Sequence, residues 1–303
     1  MKVWISGGTG FVGSALCRAL LAAGHEVTAA GSRPVFSLTH PRLTHVSADL
    51  SIPGLWQDGI RSADAVINLA GRSIFRYWTA AYKRSLARSR LKVTANMADA
   101  LDPERPVPFI SASAVGFYGP GRDDILDENA PAGGDFLSGL AVDWENAAQA
   151  AARHNARVII ARFGIVLGKN GGALKRMLPS FRLGLGGPLG SGRQWFPWIH
   201  MNDLIRALIF LLERDAAKGA YNLAAPAPVR QKEFARSLGR ALGRPAVFPA
   251  PGFVIKTVMG EMGGMLLTGQ RIFPRRLLAD GFQFSFPELA PALADLLTSG
   301  GAS

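Results

Sequence analysis

Apolar positions in this chain fall into short unbroken runs, separated by longer stretches in which they recur every three or four residues. Lys2–Ser6 is a brief apolar run ending in glycines and predicts a buried strand. Residues 14–23 carry apolar side chains at helical spacing and stop at Gly24, a natural C-cap. Strands follow at 26–30, at 46–50 and at 65–69, the last introduced by Asp64. A long mixed helix over 78–101 precedes a fifth strand at 108–113, a helix over 136–154 and a sixth strand at Arg157–Phe163. Strands alternating with helices predict an α/β, doubly wound parallel sheet with right-handed crossovers and its ligand at the carboxyl ends of the strands.

Composition narrows this picture. Hydrophobic residues make up 48% of the 303, enough for a sizeable core. The one cysteine, Cys17, lies on the apolar side of a predicted helix and cannot form an internal disulfide, which fits a reducing compartment. No apolar run reaches the roughly 18–20 residues of a membrane span. Four glycines by position 13 argue against a signal peptide. The expectation is a soluble, cytoplasmic protein with no membrane partner. The net charge of +12 is dispersed, without a dense basic run interleaved with aromatics. That favours a solvated basic surface and a small-molecule substrate, an anionic one included, over nucleic acid. His25, His40, His45 and His154 show no ligand spacing with one another or with Cys17, so no metal is expected. A homodimer is left open.

The sharpest chemical signal is the turn Gly7-Gly8-Thr9-Gly10-Phe11-Val12-Gly13 between the first strand and the first helix. Gly7 permits the tight turn, Gly10 lets backbone approach a pyrophosphate, and Gly13 lets helix and strand pack closely. The helix N-terminus then offers free N–H groups and a positive dipole end. This is the fingerprint of a Rossmann dinucleotide site. An NAD site usually has an acid at the end of the second strand, whereas this chain has Ser32-Arg33, which suits the 2′-phosphate of NADP. Asp49-Leu50 closes the third strand, where a side chain would reach the adenine. Asn68-Leu69-Ala70-Gly71 closes the fourth, where small residues would let backbone run beside the cofactor.

With these residues in view, the chain resembles the extended short-chain dehydrogenase/reductases of the sugar-nucleotide-epimerase kind, and within them the atypical branch labelled cell-division-inhibitor-like. Carrying the resemblance are Gly7-Gly8-Thr9-Gly10, Ile67-Asn68-Leu69-Ala70-Gly71, Ser111-Ala112-Ser113-Ala114-Val115-Gly116-Phe117-Tyr118-Gly119, Asp143-Trp144-Glu145, Arg162-Phe163-Gly164-Ile165-Val166-Leu167-Gly168, Trp198-Ile199-His200-Met201-Asn202-Asp203-Leu204 and Pro274-Arg275-Arg276-Leu277. The resemblance implies NADP across a Rossmann core, with Ser111 and Arg162 in the cofactor set and Ser113 as the hydroxyl that polarises a substrate carbonyl. His200 resembles a position that supports the substrate lobe. The family's Tyr-x-x-x-Lys pair, however, falls on Leu137 and Ala141, which transfer no proton. Tyr118 is the one tyrosine near a strand end and stands as a substitute acid. Ser113 with a bound water is another, and NADP binding without turnover is a third reading.

Beyond residue 168 glycines and prolines break the pattern, and 246–252 reads as a linker. The expected organisation is a dinucleotide-binding core over 1–168 with segments returning from 198–225, mixed core and substrate-lobe segments over 169–250, and a small C-terminal domain over 251–303. The loop 184–198, with Arg193, Gln194 and Trp195, could close over a ligand. The methionine-rich stretch 254–267 is weakened as a helix by Gly260, Gly263 and Gly264, and burial against the core is the expectation over a membrane-surface role. The leading function is an NADP-dependent oxidoreductase or nucleotide-sugar-epimerase-like enzyme of unknown substrate. The alternative is a catalytically weak or inactive NADP-binding sensor or interaction protein.

Overall fold

The structure, a computed structural model, describes residues 1–169 and 171–298. Its strands are β1 (Lys2–Ser6), β2 (Glu26–Gly31), β3 (Leu43–Ser47), β4 (Ala65–Asn68), β5 (Pro108–Ala114), β6 (Arg122–Leu126), β7 (Arg157–Phe163), β8 (Ile165–Gly168), β9 (Trp195–Phe196), β10 (Trp198–His200), β11 (Gly219–Leu223), β12 (Val229–Arg230) and β13 (Gln270–Ile272). Its helices are α1 (Phe11–Ala22), α2 (Asp58–Arg61), α3 (Ala80–Ala98), α4 (Phe136–Gln149), α5 (Gly172–Arg182), α6 (Met201–Glu213), α7 (Gln231–Ala241), α8 (Gly252–Leu266), α9 (Arg275–Ala279) and α10 (Leu289–Thr298).

Among the described residues, seven strands form one sheet in the order β11-β7-β5-β4-β1-β2-β3, with parallel neighbours throughout. The order reverses between β1 and β4, the switch point at which doubly wound sheets bind ligands. The strands read as apolar runs because both faces are covered: every residue of β4 is buried. One face packs on α1 and α6 through Leu16, Leu20, Leu204 and Leu208. The other packs on α3 and the short turn of helix after α4, with Trp4 and Trp56 stacked 5.7 Å apart.

Three element boundaries differ from expectation. The third strand is Leu43–Ser47 rather than 46–50, because its pairing runs from Val27↔Leu43 to Gly31↔Ser47. The long helix is shortened to Ala80–Ala98, capped by the Thr79 hydroxyl. The helix over 136–154 changes at Gln149 into a 3-10 turn that ends with Asn155 in the left-handed region.

Outside the sheet, α5, α7 and α10 share a second core with Phe196, Trp198 and Phe234. Asp203, fully buried at the start of α6, accepts the N–H groups of Ser285 and Phe286, both at 2.8 Å, and so ties the C-terminal chain to the sheet domain. The stretch 254–267 forms most of α8, broken at Gly260 (φ 58°). In the second half Met262 is buried and packs with Trp78, Leu86 and Leu140, and in the first half Ile255 alone is buried. Phe253, Val254 and Val258 in the first half are exposed.

Candidate functional site

The glycine turn is built as its spacing requires. Gly7 has φ 65°, and a Cβ there would stand 2.7 Å from the Leu69 carbonyl oxygen. A Cβ at Gly13 would stand 2.2 Å from the Gly7 carbonyl oxygen, so the crossing of turn and helix admits no side chain. Gly10 caps α1 without a side-chain hydrogen bond, and its N–H closes the turn onto the Gly7 carbonyl at 2.8 Å. The first N–H groups of α1, over Phe11, Val12 and Gly13, therefore have no helical acceptor. Gly8 packs on Ala29, and the Phe11 ring lies against Gly168 and Gly171. The Arg33 guanidinium folds back onto the turn, donating from Nη1 to the Thr9 carbonyl at 2.7 Å, with Ser32 exposed beside it. A cleft of about 930 Å3 opens here, lined by Thr9, Gly10, Phe11, Arg18, Arg33 and Lys169 among others. Ser113 is outside it.

Several candidate cofactor residues serve the loop rather than facing it. The Leu50 side chain is buried in the core that contains Trp56. Asp49 stays at the surface, where hydrogen bonds from the Ser51 hydroxyl and N–H hold its carboxyl below the usual range. The Asn68 side chain is fully buried: it accepts from Ser6 Oγ at 2.6 Å and donates to Thr94 Oγ1 at 2.7 Å and Ser111 Oγ at 3.1 Å. Asn68 and Ser111 thus brace β1, β4 and β5 together, and the segment Leu69-Ala70-Gly71 leaves the sheet from that brace, with the Leu69 and Ala70 N–H groups on Ser6 Oγ.

At the carboxyl ends of β5, β7 and β11 the register aligns Ser113 with Arg162 and Arg162 with Asn222. Side chains in one such row share a face of the sheet. Helix α4 covers that face and supplies Glu145. Ser113 Oγ donates to Glu145 Oε1 at 2.7 Å, and the Arg162 guanidinium grips both carboxylate oxygens at 2.8 Å. Arg162 Nη1 donates to the Tyr118 hydroxyl at 2.9 Å, which donates to Asn222 Oδ1 at 2.7 Å. The Asn222 N–H donates to the buried Glu128 carboxylate at 3.0 Å. Phe117 lies under Arg162, ring centroid 3.5 Å from the guanidinium carbon. Burial works against the Arg162 charge, but the Glu145 hydrogen bonds and the neighbouring Tyr118 outweigh it and raise its pKa.

Tyr118 is not placed as a substitute acid. Its ring is 0% exposed, its hydroxyl is committed to Asn222 and Arg162, and burial pushes its pKa up to about 12. It can touch no substrate in this conformation. Leu137 packs in an apolar cluster with Met259, Met262 and Met265, and Ala141 is buried. His200 caps α6, accepting the Asn202 N–H at its Nδ1 (3.1 Å), with Nε2 3.3 Å from Asp295. Trp195 donates to Asp123 and has Arg230 3.8 Å over its ring, so it is already engaged. Glu145 and Asn222 are the residues sequence reasoning passed over as site members. The available signal was that Glu145 is the one acid on the buried side of its helix, opposite an inward-facing arginine.

Residues 3–224 match the model of the NAD dependent epimerase/dehydratase family, and residues 250–296 match a domain of unknown function (DUF1731). Epimerase family protein SDR39U1 of Bos taurus is 42% identical over 309 residues, covering 98% of this chain and 100% of that protein. The crystal structure of human epimerase family protein SDR39U1 (isoform 2) with NADPH is similar at TM-score 0.85 and 39% identity, over 98% of this chain and 99% of that one. A nucleoside-diphosphate sugar epimerase from Corynebacterium glutamicum is similar at TM-score 0.77 and 30% identity, over 98% of this chain and 58% of that one. Sheet order, glycine turn and end-to-end similarity agree: this chain belongs to the NAD dependent epimerase/dehydratase family.

Proposed function

We propose that this protein is an NADP-dependent oxidoreductase of the epimerase type, in which Ser113 and Glu145 together handle the proton that the family's tyrosine and lysine would otherwise move. The observation that carries the reading is the hydrogen-bonded chain Ser113–Glu145–Arg162 at the carboxyl end of β5. The residues of the glycine turn fit a dinucleotide: Gly10 has no side chain to fill the approach to the α1 N-terminus, where a Cβ would already stand 3.0 Å from the Gly7 carbonyl oxygen. Arg33 at the end of β2, with no acid beside it, supports NADP over NAD, as does the NADPH in the human relative's structure.

When bound, NADP supplies the hydride donor or acceptor. Ser113 directs its hydrogen to Glu145, which leaves its lone pairs to accept a hydrogen bond from a substrate hydroxyl. During oxidation the substrate proton passes to Ser113 Oγ as the serine proton passes to Glu145, and reduction of a carbonyl returns it along the same path. Arg162 fixes both carboxylate oxygens and offsets their charge. Similarity to the Corynebacterium enzyme points to a sugar nucleotide as the substrate class. A second reading, an NADP-binding sensor without turnover, is favoured by Leu137 and Ala141 at the positions of the proton-transfer pair.

Calorimetric titration with NADP and NAD, followed by oxidation of NADPH against a carbonyl panel that includes 9,10-phenanthrenequinone and a 4-keto sugar nucleotide, tests both. Ser113→Ala and Glu145→Gln should each slow oxidation at least about tenfold with NADP affinity unchanged. Arg33→Ala should weaken NADP by about 1–3 kcal/mol and spare NAD. Tight NADP binding with no oxidation by the wild type would select the sensor reading, and tighter binding of NAD would sink the cofactor assignment.

A further inference from the structure

Among the described residues, half of the large apolar side chains left exposed lie in two adjoining segments, with none of the catalytic row among them. Leu183 (74%) and Leu185 (63%) follow α5, Val247 (68%) and Phe248 (57%) precede α8, and Phe253 (74%) and Val258 (70%) stand on the first half of α8. The segments run side by side: the Gly190 N–H donates to the Ala250 carbonyl at 2.8 Å and the Ala250 N–H to the Pro188 carbonyl at 2.9 Å. A Cβ on Gly187 would collide with the Phe248 carbonyl, so the two stretches are in contact. These side chains form one apolar face, larger in residue count than the single exposed apolar residues that any surface carries.

The charge around this face has one sign. The sequence holds no Asp or Glu over 146–202 or over 234–260. Arg182, Arg240, Arg244 and Lys256 are exposed in or beside the same segments, and none has an ion-pair partner among the described residues. An isologous pairing of two copies would bring these cations together with no acid to offset them. Apolar tips on proline- and glycine-rich segments, ringed by unpaired arginine and lysine, suit a surface that accepts side chains without shaped pockets and carries phosphates at its rim. Among the described residues no helix is long and apolar enough to cross a membrane, and this face asks only for contact with a surface.

We propose that the face formed by residues 182–185, 244–248 and the first half of α8 docks on an anionic lipid bilayer, its apolar side chains entering the headgroup boundary and its cations meeting lipid phosphates. This departs from the expectation, read from the sequence, of no membrane partner. It does not depend on the reading of Ser113 and Glu145.

The test is co-sedimentation of the full chain with phosphatidylcholine vesicles, with and without about 30% phosphatidylglycerol, at low and high salt. Binding to the anionic vesicles should exceed binding to the neutral ones at least about tenfold and fall steeply with salt. Phe248→Ser with Phe253→Ser should reduce it at least about fivefold, and Arg244→Glu with Lys256→Glu should abolish it; NADP binding and circular dichroism report that each variant is folded. Should the apolar pair fail to fold, the charge pair, which alters only exposed side chains, decides alone. Equal sedimentation with both vesicle types, or folded variants that bind like the wild type, overturns the proposal. So does a wild-type dimer in light scattering that the Phe248→Ser, Phe253→Ser variant converts to monomer, since a second copy would then cover the face.

Discussion

Of three side chains in one register row, Ser113 and Arg162 meet Glu145 from the covering helix, and Asn222 joins them through Tyr118; this cluster is the proposed site. Tyr118 belongs to the row's support. Replacing it with Phe leaves Asn222 Oδ1 and one Arg162 N–H without their partner in a buried setting. The expected cost is about 1–3 kcal/mol in urea unfolding, with NADP affinity held. Abolished oxidation at unchanged stability would instead put the phenol in the chemistry. The residue scale also explains why Asn68 is retained as an amide: with three hydroxyl partners it satisfies itself in a fully buried position where a carboxylate would need a cation.

At the scale of elements, the turn between β1 and α1 separates two roles of glycine. A Cβ on Gly13 would meet backbone at 2.2 Å, which cannot yield without moving the helix. Gly13→Ala should cost about 3 kcal/mol or more and appear as a lowered thermal midpoint. Gly10 has φ −80°, available to any residue, and a Cβ there would meet a single atom, the Gly7 carbonyl oxygen at 3.0 Å, a tighter fit than usual but far looser than at Gly13. Gly10→Val should therefore stay folded by circular dichroism and lose dinucleotide binding; wild-type NADP affinity in that variant would displace the cofactor site from this turn. Helix α6 carries a pH dependence of its own. Burial holds the His200 imidazole below its ordinary pKa, so the unfolded chain takes up the proton first. The stability linked to His200 is in place above its ordinary value of about 6.5 and declines as pH falls through the lowered folded value. Glu128 has the opposite sign, because burial raises its pKa and its cost is present at neutral pH. The difference between wild type and His200→Asn, which keeps a cap acceptor, isolates the histidine: between pH 7.5 and 5 the variant should lose less stability than the wild type.

At the scale of the molecule, the sheet domain and the C-terminal lobe are joined through a buried carboxylate rather than by apolar packing alone. Asp203 is 0% exposed and takes two backbone N–H groups from a segment some eighty residues away. Asp203→Ala would leave the Ser285 and Phe286 N–H groups without their acceptor, at an expected cost of about 1–3 kcal/mol. Hydrogen exchange should show that loss first at Ser285, Phe286 and α10, ahead of β1 and β4. Uniform loss across the whole sheet would mean that the two parts unfold as one unit. Net charge enters at the same scale: the +12 is uneven, and the acid-free stretches turn one face basic.

Some of this was written in local pattern. Lys2–Ser6, Ala65–Asn68 and Arg157–Phe163 are apolar runs that could only be interior strands, and glycines at 7, 10 and 13 sit between a strand and a helix with spacing that serves one geometry. A residue's own neighbours determine such features, because burial period and backbone freedom are short-range properties. An arginine in place of an acid after the second strand, and the absence of a tyrosine–lysine pair, were equally legible. The identity of the site was not. Glu145 is 32 residues from Ser113 and 17 from Arg162, and their contact exists only because the β5–β7 register and the packing of α4 bring them to one point. Asp49-Leu50 read as offering a side chain to the adenine, and tertiary packing turned the Leu50 side chain inward. The methionine stretch read as a glycine-weakened segment buried against the core, whereas the break at Gly260 left the first half of α8 exposed except at Ile255. Sequence alone determined which segments must be interior and where a dinucleotide turn forms. Tertiary structure decided which polar groups share an interior face, since that depends on strand register and helix placement that no single segment encodes.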